Sequence, residues 1–309
     1  MISSYFFGII GASLNVALSI LLCSQSMSRF AIFLICLNIC ALHGFFISQT
    51  ILITTFSHMY LNGYYLHVFL WETVDIPQWV QNVWYVVGTS LITAMWQLTP
   101  APCILQYLIM SNGLTNRRIR SKHSIIFIAY APSIVMMMLS VIWAIDFIPT
   151  PAFELKIMNA TRTFYNIPNN QTILVYGLSF DQDPINGNRS LNRSVMATII
   201  GLTYFISYIL FFWILYRVRI LLAKSVMSGR ILKLQRKFIK LQIVQCLFPL
   251  FVVAIPFSIF YIGVLFEGVE FIGQYQSIGF YAMPTVQSLF HIYFVKDSLR
   301  GKKKQPSNA

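Results

Sequence analysis

Charge is the scarcest thing in this chain. Only 10% of its 309 residues are charged, against 57% hydrophobic, whereas soluble domains carry about 25% charged and 45–50% apolar residues. A chain of this length could bury a large core, but so few charges cannot coat it with a water-facing surface. Mean hydropathy is +0.68. A cytosolic enzyme is excluded and an integral membrane protein is indicated. Acids are rarer still, 9 against 22 Lys and Arg, for a net charge of +13. In a soluble protein that excess would suggest nucleic acid. Here the basic residues cluster between long apolar runs, so they report topology and no nucleic-acid partner is expected.

Other absences narrow the chemistry. The five histidines (His43, His58, His67, His123, His291) are scattered, with no HExxH, no carboxylate pair and no Cys/His cluster. No catalytic residue, metal or cofactor is therefore expected. His43 and His291, the two inside apolar runs, read as packed polar residues. Ionisable groups within those runs are nearly missing: Asp146 stands alone, near the outer end of the fourth, where it reads as reaching interfacial water. That scarcity argues against ion pumps and proton-coupled carriers. The five cysteines (Cys23, Cys36, Cys40, Cys103, Cys246) all lie in apolar runs and segment 150–193 has none, which excludes an extracellular disulfide framework and leaves buried thiols. No internal repeat is visible, and seven runs cannot be halved, which counts against transporters built from inverted repeats. Residues 1–4 carry no basic stretch or cleavage signal, so 3–23 is expected as a retained span.

What the chain does have is apolar length. A crossing of a ~30 Å hydrocarbon core takes about 20 apolar residues. Seven segments meet that measure: 3–23, 30–56, 79–110, 125–148, 195–222, 241–265 and 271–295. The expected fold is all-α, a seven-transmembrane helix bundle forming one domain over 1–296, with a short basic tail over 297–309. With the N-terminus outside, the inner segments hold Arg29; Arg117, Arg118, Arg120, Lys122; Arg217, Arg219, Lys224, Arg230, Lys233, Arg236, Lys237, Lys240; and Lys296, Arg300, Lys302, Lys303, Lys304, eighteen of the 22. Such an excess faces the cytosol, so the C-terminus is expected inside. The remaining four share the long outer loop 150–193. All four N-x-Ser/Thr sequons, at Asn159, Asn170, Asn188 and Asn192, fall in that loop, where glycosylation acceptors belong.

Loop 57–78, rich in Tyr and Trp, reads as interfacial. Loop 150–193, with its Pro, Asn, Gly and Asp clusters, reads as a surface excursion with little regular structure. Over 230–243, Arg230, Lys233, Lys237 and Lys240 repeat at helical spacing beside Ile231, Leu234, Phe238 and Leu241. The sixth helix should thus extend into the cytosol with a basic stripe, meeting anionic headgroups, an intracellular partner, or both. In the outer halves, Trp84, Tyr85, Thr89, Ser90, Thr93, Tyr204, Ser207, Tyr208, Ser258, Tyr261, Gln274, Tyr275, Gln276 and Tyr281 supply weakly polar and aromatic groups. They suit a pocket for a small, mostly apolar molecule, the ligand-binding core of which is taken as Trp84, Tyr85, Ser90, Tyr204, Tyr208, Tyr261, Gln274 and Tyr281; singly, each also reads as helix–helix glue. Pro249, Pro256 and Pro284 interrupt the last two spans, as hinges or as static kinks.

Met227-Ser228-Gly229-Arg230, Leu234-Gln235-Arg236-Lys237-Phe238, Gln245, Pro249 and Pro256 together resemble the nematode serpentine chemoreceptors of the Str superfamily, most closely the delta (Srd-like) class. Gly11 and Asn15, Tyr130-Ala131-Pro132, and Pro284 followed by Phe294-Val295-Lys296 fit the same pattern. The resemblance implies a plasma-membrane receptor of the G-protein-coupled kind that senses small environmental chemicals in ciliated sensory neurons. Its implied partners are a lipid bilayer, a small-molecule ligand and a heterotrimeric G protein, the last meeting an inner face of Arg117, Arg118, Arg120, Lys233, Lys237 and Lys240. Rhodopsin-type switch motifs are missing: Tyr107-Leu108-Ile109-Met110 stands where Asp-Arg-Tyr would, and no Asn-Pro-x-x-Tyr occurs. A ligand-gated cation channel subunit, with an inside N-terminus, is the alternative reading, and a transporter a further one.

Overall fold

The computed structural model describes residues 2–24, 31–53, 55–61, 64–70, 77–98, 100–114, 122–168, 173–179, 189–224, 229–256, 259 and 272–303. Nine α-helices are described: α1 (Ile2–Cys23), α2 (Ala31–Ile53), α3 (Gln78–Leu98), α4 (Ala101–Leu114), α5 (Lys122–Asp146), α6 (Pro151–Tyr165), α7 (Arg189–Lys224), α8 (Gly229–Pro249) and α9 (Ile272–Lys303). Three strands join them: β1 (Thr55–Leu61), β2 (Tyr64–Leu70) and β3 (Ile173–Ser179). Five described helical segments are long and apolar enough to cross a membrane: Ser3–Cys23, Leu34–Ile53, His123–Asp146, Gly201–Lys224 and Gln235–Ala254. The stretch expected to cross as 79–110 is two helices, α3 and α4, broken before Pro100 and re-started by an Ile104 N–H bond to the Pro100 carbonyl. α9 runs on through Lys303, so the expected tail begins as helix.

Small residues set how closely the helices approach. Along α1 and α2, a Cβ on Gly44 would lie 2.7 Å from Asn15 Oδ1. That proximity leaves room for the Asn15 amide to donate to the Gly11 carbonyl (2.8 Å) and to the Pro284 carbonyl of α9 (3.4 Å). One buried amide thus ties α1 to α9, with its own helix as second acceptor.

After Pro249 the chain forms a π-helical turn, Leu250–Ala254, in which the Ile255 N–H reaches back five residues to the Leu250 carbonyl. Proline supplies no N–H, and a widened turn is a common way for a helix to absorb that loss. α9 packs against this turn so closely that a Cβ on Gly279 would come within 2.5 Å of the Val252 carbonyl oxygen. The α-helical donor for that carbonyl would be residue 256, a proline.

Both outer loops differ from expectation. β1 and β2 pair antiparallel, and β3 from the second loop adds to them in the order β1-β2-β3. α6 lies on top. It starts at Thr150 with Pro151 in its first turn, where the absent N–H would be unbonded anyway. It stops at Asn166, left-handed at φ 51°, with the Ile167 N–H bonded to the Arg162 carbonyl. The second loop is therefore a helix and a strand over much of its length. It reads as a loop because its Pro and Asn are caps, whereas its buried face (Phe153, Ile157, Thr161) is only three residues long.

Candidate functional site

The sheet is buried on both faces. Met59, Leu66, Val68, Ile173 and Val175 point up into α6, against Phe153 and Ile157. The alternate residues His58, Tyr65, His67, Phe69 and Tyr176 point down onto the ends of α3, α5 and α9. A strand covered on both sides is apolar on both, which is why Tyr64–Leu70 is hydrophobic at every position but His67 instead of alternating. Among the bonds that fasten it are the His58 N–H to Ser277 Oγ of α9 (3.1 Å), the Gly177 N–H to the Phe147 carbonyl (3.0 Å), and the Tyr176 hydroxyl to Asn82 Oδ1 of α3 (2.9 Å).

Beneath it lies an aromatic layer. Tyr85 of α3 stacks on Tyr176 at 3.9 Å and 6°, and Phe147 stacks on His67 at 4.7 Å and 13°. His67 bonds the Tyr85 hydroxyl through Nδ1 (2.8 Å) and the Tyr65 hydroxyl through Nε2 (3.1 Å). Burial lowers both imidazoles: His58 to about 3, and His67 well below the usual 6.5, the latter helped by the charge His58 would carry. Both are neutral ring donors or acceptors at physiological pH. Tyr281 belongs to the same buried cluster. Trp143 packs against this cluster, and its buried indole N–H, like that of Trp84 on α3, has no hydrogen-bond acceptor among the described residues.

Of the expected ligand residues, the structure brings together Tyr85 and Tyr281, with Trp84 half-buried on the same helix as Tyr85. Ser90 lies buried on α3, but its hydroxyl donates to the Val86 carbonyl at 2.7 Å, as Thr93 does to Thr89; in an apolar helix the nearest acceptor is the helix itself. Tyr208 is not in this group. It packs into a separate cluster with Cys103 and Cys246, because α7 lies chiefly along α4. Tyr261 and the side chains of Tyr204 and Gln274 lie outside the described residues. Residue patterning missed His67, Tyr65, Phe147 and Tyr176; the one available signal was Asn62-Gly63, the pair most favoured between the strands of a tight hairpin.

A polar seam runs along α8 toward the other end of the bundle. Gln235 pairs with Gln106, Gln242 accepts from the Cys103 thiol, and the Gln245 amide donates to His291 Nε2, each at 2.5 Å. All three glutamines are buried and share one face. Lys233 and Lys240 are exposed on α8, and Lys237 is half-buried. Phe238 and Leu241, from the expected apolar stripe, pack on Leu18, Leu22, Leu37 and Val295. Arg117, Arg118 and Arg120 lie outside the described residues, as do Asn170, Asn188 and the Asn192 side chain. Asn159 is exposed on α6. Of the three prolines, Pro249 precedes the π-turn, while α9 continues through Pro284.

The model of the family described as "Serpentine type 7TM GPCR chemoreceptor Str" matches residues 1–298. This chain belongs to that family. Among solved structures, squid rhodopsin superposes with a TM-score of 0.54 over 99% of this chain and 87% of that one, at 10% identity. At that identity the likeness establishes the rhodopsin-like fold alone. A search of curated proteins returned no match. The Str-family chain is a multi-pass membrane protein, and its family and fold are those of receptors and not of enzymes.

Proposed function

We propose that this Str-family receptor is a plasma-membrane chemosensor, in the sensory-neuron cilia its delta-class resemblance implies, with seven crossings, its N-terminus outside and its C-terminus in the cytosol. It binds a small, uncharged environmental molecule in the aromatic layer under the outer sheet and signals to a heterotrimeric G protein. The observation that carries this reading is the layer itself: Tyr85, Tyr281, His67, Phe147 and Tyr176 converge from two helices and the elements above them. The buried indole N–H of Trp143, packed against it, would favour a ligand bearing a hydrogen-bond acceptor. A ligand that prefers one helix arrangement shifts the population toward it. The π-turn and Pro256 supply a place for α8 to bend, and the inner Arg117, Arg118, Arg120, Lys233, Lys237 and Lys240 would meet the acidic surface of the partner.

The test is calcium imaging of cells expressing the receptor against a panel of small volatile molecules. Replacing Lys233, Lys237 and Lys240 together by Gln should abolish the response while ligand binding persists. A current that survives in cells without G proteins would sink the coupling and indicate a channel.

A further inference from the structure

A small cavity lies in the middle of the bundle, where α2, α8 and α9 meet, and its polar lining is Cys40, His43, Gln245, Gln287 and His291. It is separate from the aromatic layer under the sheet. Among the described residues no group of three His, Cys, Asp or Glu is placed to hold a metal ion, so the paired imidazoles need another explanation. His43 Nε2 is buried and has no hydrogen-bond partner among the described residues, while the ring also bonds the Leu91 backbone. With Nδ1–H donating to that carbonyl, Nε2 carries a bare lone pair and must accept. His291 Nε2 already accepts from the Gln245 amide, so its proton sits on Nδ1. Leaving an acceptor such as His43 Nε2 dry costs about 1–3 kcal/mol.

The space suits one occupant. Counted over the positions a water centre can take, the cavity measures ≈ 10 Å³, and a single water needs about 10–15 Å³ on that measure with two to four polar partners. We propose that this cavity is a binding site for one ordered water, which donates to His43 Nε2 and bridges to the amides of Gln245 or Gln287. The water joins span two to the two helices that carry Gln245 and His291. Unlike a direct bond, a bridging water re-pairs when α8 shifts, so the junction holds the bundle together without locking it.

Hydroxyl-radical footprinting of the full chain in lipid nanodiscs tests this, with radicals made by X-ray pulses in ¹⁸O-water. Radicals arise from water, so a buried side chain is labelled only beside one. His67 is the control for His291, at 5% against 4% exposure, but with both ring nitrogens bonded to tyrosines. His291 should be labelled clearly more than the equally buried His67, and His43 with it, as a hydrated site against a dry one. His43 as protected as His67 overturns the proposal. Filling the cavity by His43→Phe should bring His291 labelling down to the His67 level; unchanged labelling of His291 also overturns it. Should that variant not fold, Cys40→Met fills the same space and carries the same two outcomes.

Discussion

Tyr85 sits where three kinds of interaction meet: a stack on Tyr176, a hydroxyl bond to His67, and ring contacts to Phe69 (edge-on) and Phe147 (tilted). Removing only the hydroxyl leaves the stacking intact and strips His67 of one of its two ring partners. Tyr85→Phe should therefore cost about 1–3 kcal/mol, seen as a lowered thermal midpoint of the purified receptor. An unchanged midpoint would show that His67 re-pairs elsewhere. At the same scale Gly279 and Gly201 make a matched pair. Gly279→Ala forces a methyl against the Val252 carbonyl and should destabilise by about 1–3 kcal/mol. Gly201 has nothing within 4 Å of its added carbon, so Gly201→Ala should be neutral or slightly stabilising, since alanine is the better helix former. Equal effects from both would mean that α9 does not rest on the π-turn. None of these contacts was legible in the chain order: Tyr85 is separated from Tyr176 by ninety positions, and periodicity says nothing about which helix faces which.

The sheet is the element whose behaviour is most sensitive to conditions. His58 and His67 are neutral when it is docked, held below their ordinary value by burial. Above about pH 6.5 both the docked and the released sheet hold them neutral, and they contribute no pH dependence. As pH falls below that, the released sheet binds protons that the docked one refuses. Docking then weakens by up to about 1.4 kcal/mol per pH unit per histidine, continuing toward pH 3 for His58. Protection factors of the Tyr64–Leu70 amides, taken against the intrinsic exchange rate at each pH, should consequently fall between pH 6.5 and 5, and His67→Phe should blunt the change. Protection factors independent of pH over that range would rule out docking through neutral imidazoles. The sheet escaped sequence reading for a physical reason. Tyr and His on two-sided strands resemble the aromatic belt of a membrane interface, and only Asn62-Gly63 marked the turn. α8, by contrast, was half legible. Its basic stripe and the apolar Phe238 and Leu241 follow helical spacing, but Gln235, Gln242 and Gln245 gave no sign of having partners on α4 and α9.

At the scale of the whole molecule, topology organises the function. In the proposed topology, with the N-terminus outside, α6 would face the exterior and Asn159 would be a glycosylation acceptor. Thr161 of that sequon is buried, its hydroxyl bonded to the Ile157 carbonyl, so modification must precede the folding of α6. Asn159→Gln should raise the electrophoretic mobility of receptor made in cells, and an epitope at the carboxyl end should stain only after permeabilisation. Staining of intact cells would reverse the orientation and with it the signalling face.

Composition and the order of charges alone dictated a membrane protein and its apolar segments, because lipid selects on length, hydropathy and charge, all of which are one-dimensional; the family resemblance rested on the particular residues around 227–256. Which aromatic side chains share a layer, that two loops form one sheet, and that α8 carries an internal polar seam were decided only by the folded chain. Those features arise from contacts between residues scores of positions apart, where the burial of each side chain depends on what another segment brings to it.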